Sequence, residues 1–403
     1  MKSEQFDNPI RRQVFDLPGL TQVQLESCFG HGLKELMTMA EIFDARKIIL
    51  TGCGDSYAAA VAMAPVVERY CDCFGVQAMR AIDFTRFLPK DQIGIGEPNS
   101  PLVIAISAGG GTARICEVLE KANAVGAFSI LMTNNPESRA AKLAKRVYCM
   151  GTPDFPDKGP GLRSYFASLI GLIAFANRLG HVRGTLPPTA PGDFQAAIRS
   201  HMEAFTQVLE SVDEQMFRLA QQWQSFTRFD FIGDGEEFGS AFFGAAKFLE
   251  ANGCTVSVDD SEDWCHINYF LKDPASIGTV IMADKNSPAY GREKETAASA
   301  AAIGRPVLVV TNGPREDFPG AQVVCCVPEA PAGYEWLLPL TDYIPASLLA
   351  GYIAQLQQEP FFRFARLADG TPDPNSDFAN RGCMTLSNSK VEIYDEGGNE
   401  HAV

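Results

Sequence analysis

The feature that most constrains this chain is that it repeats itself. An apolar strand, Ile48-Ile49-Leu50, runs into Gly52-Cys53-Gly54-Asp55-Ser56 and then an Ala-rich helical stretch to about Tyr70. Further on, Phe229-Asp230-Phe231-Ile232 runs into Gly233-Asp234-Gly235 and a helical stretch to about Ala251. The echo continues in order. Leu102–Ile106 ends at Ser107 and Thr279–Ala283 ends at Asp284; Ile130–Thr133 answers Val307–Thr311, and Arg146–Cys149 answers Gln322–Cys325. The step from Ser107 to Thr133 is 26 residues and that from Asp284 to Thr311 is 27. Four strands recurring at near-equal spacing mark a duplicated unit.

The strands are short continuous apolar runs alternating with helical stretches, the pattern of a parallel sheet covered on both faces. The expected fold class is α/β, with two tandem flavodoxin-like domains, each a parallel sheet sandwiched by helices. The Pro- and Gly-rich run from Arg183 to Gly192 reads as a linker. The expected organisation is an N-terminal segment over 1–30, a first domain over 31–185, a linker over 186–196, a second domain over 197–360 and a tail over 361–403. A last helix is expected from about Ile344 to Gln358, and the tail is expected to be irregular until near Val391.

Composition narrows the function. At 403 residues and 46% hydrophobic content, two packed cores are affordable. The net charge of −15 argues against nucleic-acid binding, which rewards clustered Lys and Arg. The N-terminus lacks the apolar core of a signal peptide. The longest apolar stretch, roughly Phe166 to Ala176, falls short of the ~20 residues of a membrane helix. A soluble cytoplasmic protein is therefore expected. The 11 Cys are scattered and the 5 His lack chelating spacing, so no metal is expected.

In an open parallel sheet, ligands bind beyond the carboxyl ends of the strands. Two loops leave the first repeat there. One carries Gly54-Asp55-Ser56. The other, Ser107-Ala108-Gly109-Gly110-Gly111-Thr112, suits an anion better: glycines turn backbone N–H groups inward, hydroxyls flank them, and a helix begins at Ala113. A plain glycine turn is the competing reading; the strand before and the helix after favour the anion. A dinucleotide site is disfavoured, because neither Gly52-x-Gly54 nor Gly233-x-Gly235 completes G-x-G-x-x-G and no acidic residue stands at ribose distance. No cofactor is expected.

These residues carry a resemblance. Cys53-Gly54-Asp55-Ser56-Tyr57 and Ser107–Thr112 resemble the paired loops of the SIS (sugar isomerase) family. That family includes the isomerase half of glucosamine-6-phosphate synthase, the fructosamine-6-phosphate deglycases and sugar-phosphate deaminases. In it the second loop usually reads S-x-S-G-x-T and grips the sugar phosphate. The opening Glu4–Pro9 resembles the segment leading into that isomerase half. The helix Gly244-Ala245-Ala246-Lys247-Phe248-Leu249-Glu250 is similar to the family's G-A-x-K-x-x-E, whose Glu abstracts the proton. Sixteen residues on stands His266, where the family's ring-opening His lies, in several members donated to a neighbouring subunit's site. The resemblance thus implies a double-SIS enzyme acting on a phosphorylated sugar, with Glu250 and His266 catalytic, Lys247 beside them, and a homodimer with shared sites. The chemistry is coherent by itself, since enediol formation needs a carboxylate near C1/C2 and a group shuttling protons on oxygen. Asp55, Lys247, Glu262 and Asp263 are open between supporting and plain surface roles. His31, His181 and His201 are expected to be structural.

The match frays in places. Gly109 stands where the family has a second phosphate-binding serine, Phe243 where the synthase-like members often have Glu, and Ile267-Asn268-Tyr269-Phe270 where Gly-Pro usually follows the His. The family's C-terminal Lys is answered by Lys390 or Arg381. Arg163-Ser164-Tyr165 resembles the helix start beside the sugar. Without a glutaminase domain, the resemblance favours isomerisation, or deamination or deglycation of an aminosugar phosphate. A non-catalytic sugar-phosphate sensor is the alternative, and a purely structural duplication is least favoured.

Overall fold

The computed structural model describes residues 3–73, 75–93, 101–157 and 159–361, together with the backbone of 392–394 and 400–402. The chain divides into two compact units. One comprises residues 22–153 and 164–195. Its helices α1 (Pro9–Cys28, shared with the other unit), α2 (His31–Leu36) and α3 (Met39–Asp44) precede strand β1 (Ile48–Gly52). Then come α4 (Asp55–Cys71), β2 (Val76–Arg80), α5 (Ala81–Arg86), α6 (Lys90–Ile93), β3 (Leu102–Ile106), α7 (Ala113–Ala124), β4 (Phe128–Thr133), β5 (Arg146–Cys149) and α8 (Arg163–Arg183). All five strands are parallel, in the order β2-β1-β3-β4-β5.

The centre of that sheet is as dry as its apolar runs predict. Every residue of β1, β3 and β4 is buried. Fully burying a Val, Leu or Ile side chain is worth roughly 1.5–3 kcal/mol, so these strands are the unit's main adhesive. Helix α7 covers one face through Ile115, Cys116, Val118, Leu119 and Ala122, a helical-period stripe that meets Val103, Ala105 and Leu131.

The other unit comprises residues 1–21, 154–163 and 196–364. Helix α9 (Ala190–Trp223) enters it, followed by β6 (Arg228–Ile232), α10 (Glu237–Asn252), β7 (Thr255–Asp259), α11 (Ser261–His266), β8 (Ile277–Ala283), α12 (Tyr290–Ala302), β9 (Val307–Thr311), β10 (Val323–Cys326) and α13 (Tyr343–Leu356). Its parallel sheet runs β7-β6-β8-β9-β10, the same winding as the first. The duplication read from the sequence is therefore a duplication of topology.

Three local differences from the sequence expectations have physical causes. The stretch expected as linker is helical from Ala190, because Pro191 falls in the first turn of α9, where its missing N–H is not needed. The expected N-terminal segment is largely helix α1, and its start is strapped into the second unit. Arg11 bonds Asp213 at 3.1 Å and the Tyr352 hydroxyl at 3.1 Å, and the Asn8 side chain caps the helix by accepting from Ile10 and Arg11 N–H groups. Finally, Phe166–Ala176 is not the most membrane-like stretch. By length and composition Glu335–Leu356 is long and apolar enough to span a membrane, yet all but its ends are buried in its unit, as in a core helix. There α13 packs on α10, with the Phe243 and Tyr343 rings edge to face at 5.1 Å. The tail beyond residue 361 lies mostly outside the described residues.

Candidate functional site

In the first sheet β1 and β3 are neighbours in register, Thr51 opposite Ala105, while the chain leaves them in opposite directions toward β2 and β4. That divergence opens a crevice at the carboxyl edge, and both glycine loops leave strands there. Gly54 adopts φ +54, ψ −125, a conformation suited to glycine, and starts α4. Cys53 is exposed, while Asp55 and Ser56 are half-buried.

The second loop is built as a cradle. Ser107 is buried, and its Oγ accepts the Gly110 N–H at 3.2 Å. Gly110 has φ +63, and a Cβ there would collide with the Ser138 side chain, so no other residue fits. The Ala108 carbonyl is turned away toward β4, accepting the Thr133 hydroxyl at 3.0 Å and the Asn134 N–H at 2.9 Å. Gly109 and Gly111 are exposed with open space around them. Thr112 sits at the start of α7 without making a capping hydrogen bond. The result is a loop of small residues with a helix N-terminus behind it, a shape and polarity that suit an anion. Arg114 follows in the first turn of α7 and pairs with the buried Glu117 at 2.6 Å. It brings a positive charge to this rim that the motif reading did not single out.

In the second unit Lys247 and Glu250 meet as expected for one helix face. The Lys247 Nζ lies 2.6 Å from Glu250 Oε2 and over the Phe243 ring at 4.5 Å. The Lys247 side chain is fully buried, whereas that of Glu250 is 29% exposed. His266 stands at the exposed end of α11, with Nε2 2.9 Å from Glu262 Oε1. Glu262 also pairs with Arg292 at 2.7 Å. Below it, buried Trp264 donates to Asp230 at 3.0 Å, and Arg305 binds the same carboxylate at 2.8 Å and the Asn268 carbonyl at 2.7 Å. This buried ion pair fixes the platform from which His266 projects.

Glu250 and His266 are not brought together within this unit. Helix α10 runs back from the carboxyl edge, so Glu250, in its last turn, lies at the amino edge where β7 begins. α11 follows β7 and lies at the carboxyl edge. The pair stands at opposite edges of one sheet. Arg163 is committed elsewhere: its Nε bonds Asp16 at 2.7 Å and its guanidinium lies over Phe155 at 4.6 Å. The Ser164 carbonyl accepts the Ser168 hydroxyl at 2.8 Å. Lys390 and Arg381 lie outside the described residues. His201 is buried against Thr341 at 3.1 Å, and desolvation lowers its pKa to about 4, which leaves it neutral at ordinary pH.

The carboxyl edge of the second sheet holds what the sequence reading missed. Where β3 ends in Ser107, β8 ends in Asp284, joined by Asp234, Glu237, Glu293 and Asp342. Asp342 accepts the Ser240 hydroxyl at 2.6 Å and Asp284 the Asn312 amide at 2.7 Å. Glu293 and one oxygen each of Glu237, Asp234 and Asp342 have no hydrogen-bond partner. Desolvation, reinforced by Asp234 and Asp284, pushes Glu293 up to about 9; desolvation pushes Asp342 to about 7 and, with Asp342 beside it, Glu237 well above the carboxylate range. Desolvation thus holds Glu237, Glu293 and Asp342 toward the neutral form where the first sheet has glycines.

Two parallel sheets wound alike, each flanked by helices, with a glycine loop at the first one's switch point, give the chain the fold of two tandem SIS-type, flavodoxin-like domains. Among curated proteins it is 22% identical over 354 residues to glutamine–fructose-6-phosphate aminotransferase (isomerizing) of Gloeobacter violaceus, covering 85% of this chain and 55% of that protein. The chain thus spans about half the length of the curated relatives it matches. Among solved structures, the C-terminal domain of glucosamine-fructose-6-phosphate aminotransferase from Francisella tularensis superposes with a TM-score of 0.77 at 15% identity, covering 90% of this chain and 100% of that one. Glucosamine-6-phosphate deaminase from Thermotoga maritima superposes with a TM-score of 0.61 at 16% identity, covering 89% and 98%. No family model matches the chain.

Proposed function

We propose that the chain processes a phosphorylated sugar, as an aldose–ketose isomerase or an aminosugar- or fructosamine-phosphate deglycase, through an enediol or enolamine. The observation that carries this reading is the Ser107–Thr112 cradle at the switch point, where backbone amides and two hydroxyls suit a phosphate. Gly54, Asp55 and Ser56 line the neighbouring loop and would meet the sugar. Glu250 takes the proton from the carbon next to the carbonyl and returns it to the adjacent carbon, while Lys247 holds the carboxylate in place. His266 shuttles the ring-oxygen proton. Its separation from Glu250 across the sheet supports its serving the site of a second copy, hence a homodimer. Lys390 or Arg381 supplies the C-terminal cation. This chemistry needs no cofactor, and the names of the relatives that share the fold support a soluble metabolic role.

The test is a mass-spectrometric screen, in D2O, of wild type and Glu250→Gln against phosphorylated ketoses, aldoses, 2-aminosugars and fructosamines. Turnover with deuterium uptake, lost by at least about 1,000-fold in Glu250→Gln, is expected for a proton-abstracting base. Amine release identifies a deglycase, and its absence an isomerase. Tight binding without exchange in the wild type would make the chain a sugar-phosphate sensor instead.

A further inference from the structure

Helix α4 ends at Cys71, and Asp72 closes it in the left-handed region with φ 48 and ψ 48. Past that turn, Cys73 Sγ donates to the Ala45 carbonyl at 3.3 Å and to the Cys71 carbonyl at 3.6 Å. Arg183, the last residue of α8, is clamped in the fold. Its guanidinium donates to the carbonyls of Ile42, Ala45, Cys71 and Asp72, and to Cys73 Sγ at 2.9 Å. Four of these five acceptors are neutral carbonyls. The one that can take up a negative charge is the Cys73 sulfur.

Cys71 is fully buried, Cys73 is half-buried, and both are free thiols. A hydrogen bond from the Cys71 thiol, aided by the Arg183 charge and opposed by desolvation and the Asp72 carboxylate, lowers the Cys73 thiol to about 7. The same hydrogen bond, with burial, raises Cys71. Elsewhere burial pushes Cys28 and Cys325 up to about 12. A thiol beside a cation, with a second free thiol two residues away across a tight turn, is the arrangement of a redox-active pair.

We propose that Cys73 is a peroxide-reactive thiol and Cys71 its resolving partner, the two closing reversibly into a disulfide in the turn between α4 and β2. The oxidant class is a hydroperoxide. The Cys73 thiolate attacks the terminal peroxide oxygen and the O–O bond breaks. The leaving alkoxide or hydroxide takes a proton, and the sulfur becomes a sulfenic acid. Cys71 then gives up its proton and attacks that sulfur; the S–S bond forms, the S–O bond breaks, and water leaves. Two thiols and one hydroperoxide become one disulfide, one alcohol (or water) and one water. A bridge across a single residue is strained, so it is readily reduced again.

The experiment is peptide mapping of the full reduced chain, whose tryptic peptide Tyr70–Arg80 carries both thiols. Iodoacetamide labelling against pH is expected to give Cys73 a midpoint near 7 and, at pH 7, a rate roughly tenfold above the exposed Cys149 and Cys326. Hydrogen peroxide should then remove about 2 Da from that peptide, reversibly with dithiothreitol. In Cys71→Ser the reaction stops at a sulfenic acid trapped by dimedone, a readout that does not depend on Arg183→Gln folding. In Arg183→Gln, where it folds, the labelling rate of Cys73 at pH 7 falls several-fold. A Cys73 midpoint at or above that of an ordinary thiol, or oxidation elsewhere with this peptide unchanged, overturns the proposal.

Discussion

The two sheets of this protein share a winding and differ at the mouth. At the carboxyl edge of the first, β3 hands over to a serine, three glycines and a threonine, leaving room and donors. At the equivalent edge of the second, β8 hands over to Asp284 among the buried carboxyls of Glu237, Glu293 and Asp342. The same topological crevice thus carries small residues and free loop space in one copy and buried carboxyls in the other. Topology places a site, but polarity and side-chain volume decide whether it is used.

The comparison breaks most directly at Gly110. Gly110→Val forces a β-branched residue to positive φ and into Ser138, and should cost about 3 kcal/mol or more of stability along with phosphosugar binding. Thermal unfolding with and without sugar phosphate reads both losses.

The next effect belongs to the acidic mouth. Glu293 is neutral in both folded and unfolded chains below about 4.5; between 4.5 and about 9 only the unfolded chain ionises, so stability falls as pH rises through that window. Glu293→Gln should remove this slope, raising stability by about 2 kcal/mol at pH 8 and by nothing at pH 4. Denaturant melts at several pH values would contradict the neutral-carboxyl picture if the wild type gained stability from pH 5 to 8 and the variant did not differ.

Ser107→Ala removes one hydroxyl from the cradle and should weaken phosphosugar binding about tenfold by calorimetry, while Asp284→Ala should leave that binding within about twofold. Equal losses in the two variants would erase the functional difference between the mouths. The smallest effect is expected from Asp342→Asn, which keeps the Ser240 partner. It should gain about 1 kcal/mol, growing as pH rises from about 4 to about 7 and constant above that.

How much of this was legible in the sequence follows from the range of the interactions. Apolar five-residue runs such as Leu102–Ile106 and their repetition announce parallel strands, because burial on both faces is written locally in residue type. The cradle was readable for the same reason: serine, glycines and threonine are contiguous between a strand and a helix. The acidic mouth was not, since Asp234, Glu237, Asp284, Glu293 and Asp342 are spread over more than a hundred residues and meet only once the sheet is wound. Arg163 was expected beside a sugar, yet Asp16, 147 positions away, holds it. The strap of Arg11 on Asp213 and Tyr352 likewise has partners 202 and 341 positions distant, so no local pattern announces it.

That strap has a consequence for how the protein is made. The unit built on residues 196–364 also needs residues 1–21, which leave the ribosome long before it can form. At about 5–20 residues per second the early helix waits on the order of tens of seconds for its seat. Meanwhile the sheet of the other unit has all of its strands. A helix translated ahead of both sheets is therefore among the last elements to find its place, and until then its apolar face is one that chaperones have reason to guard.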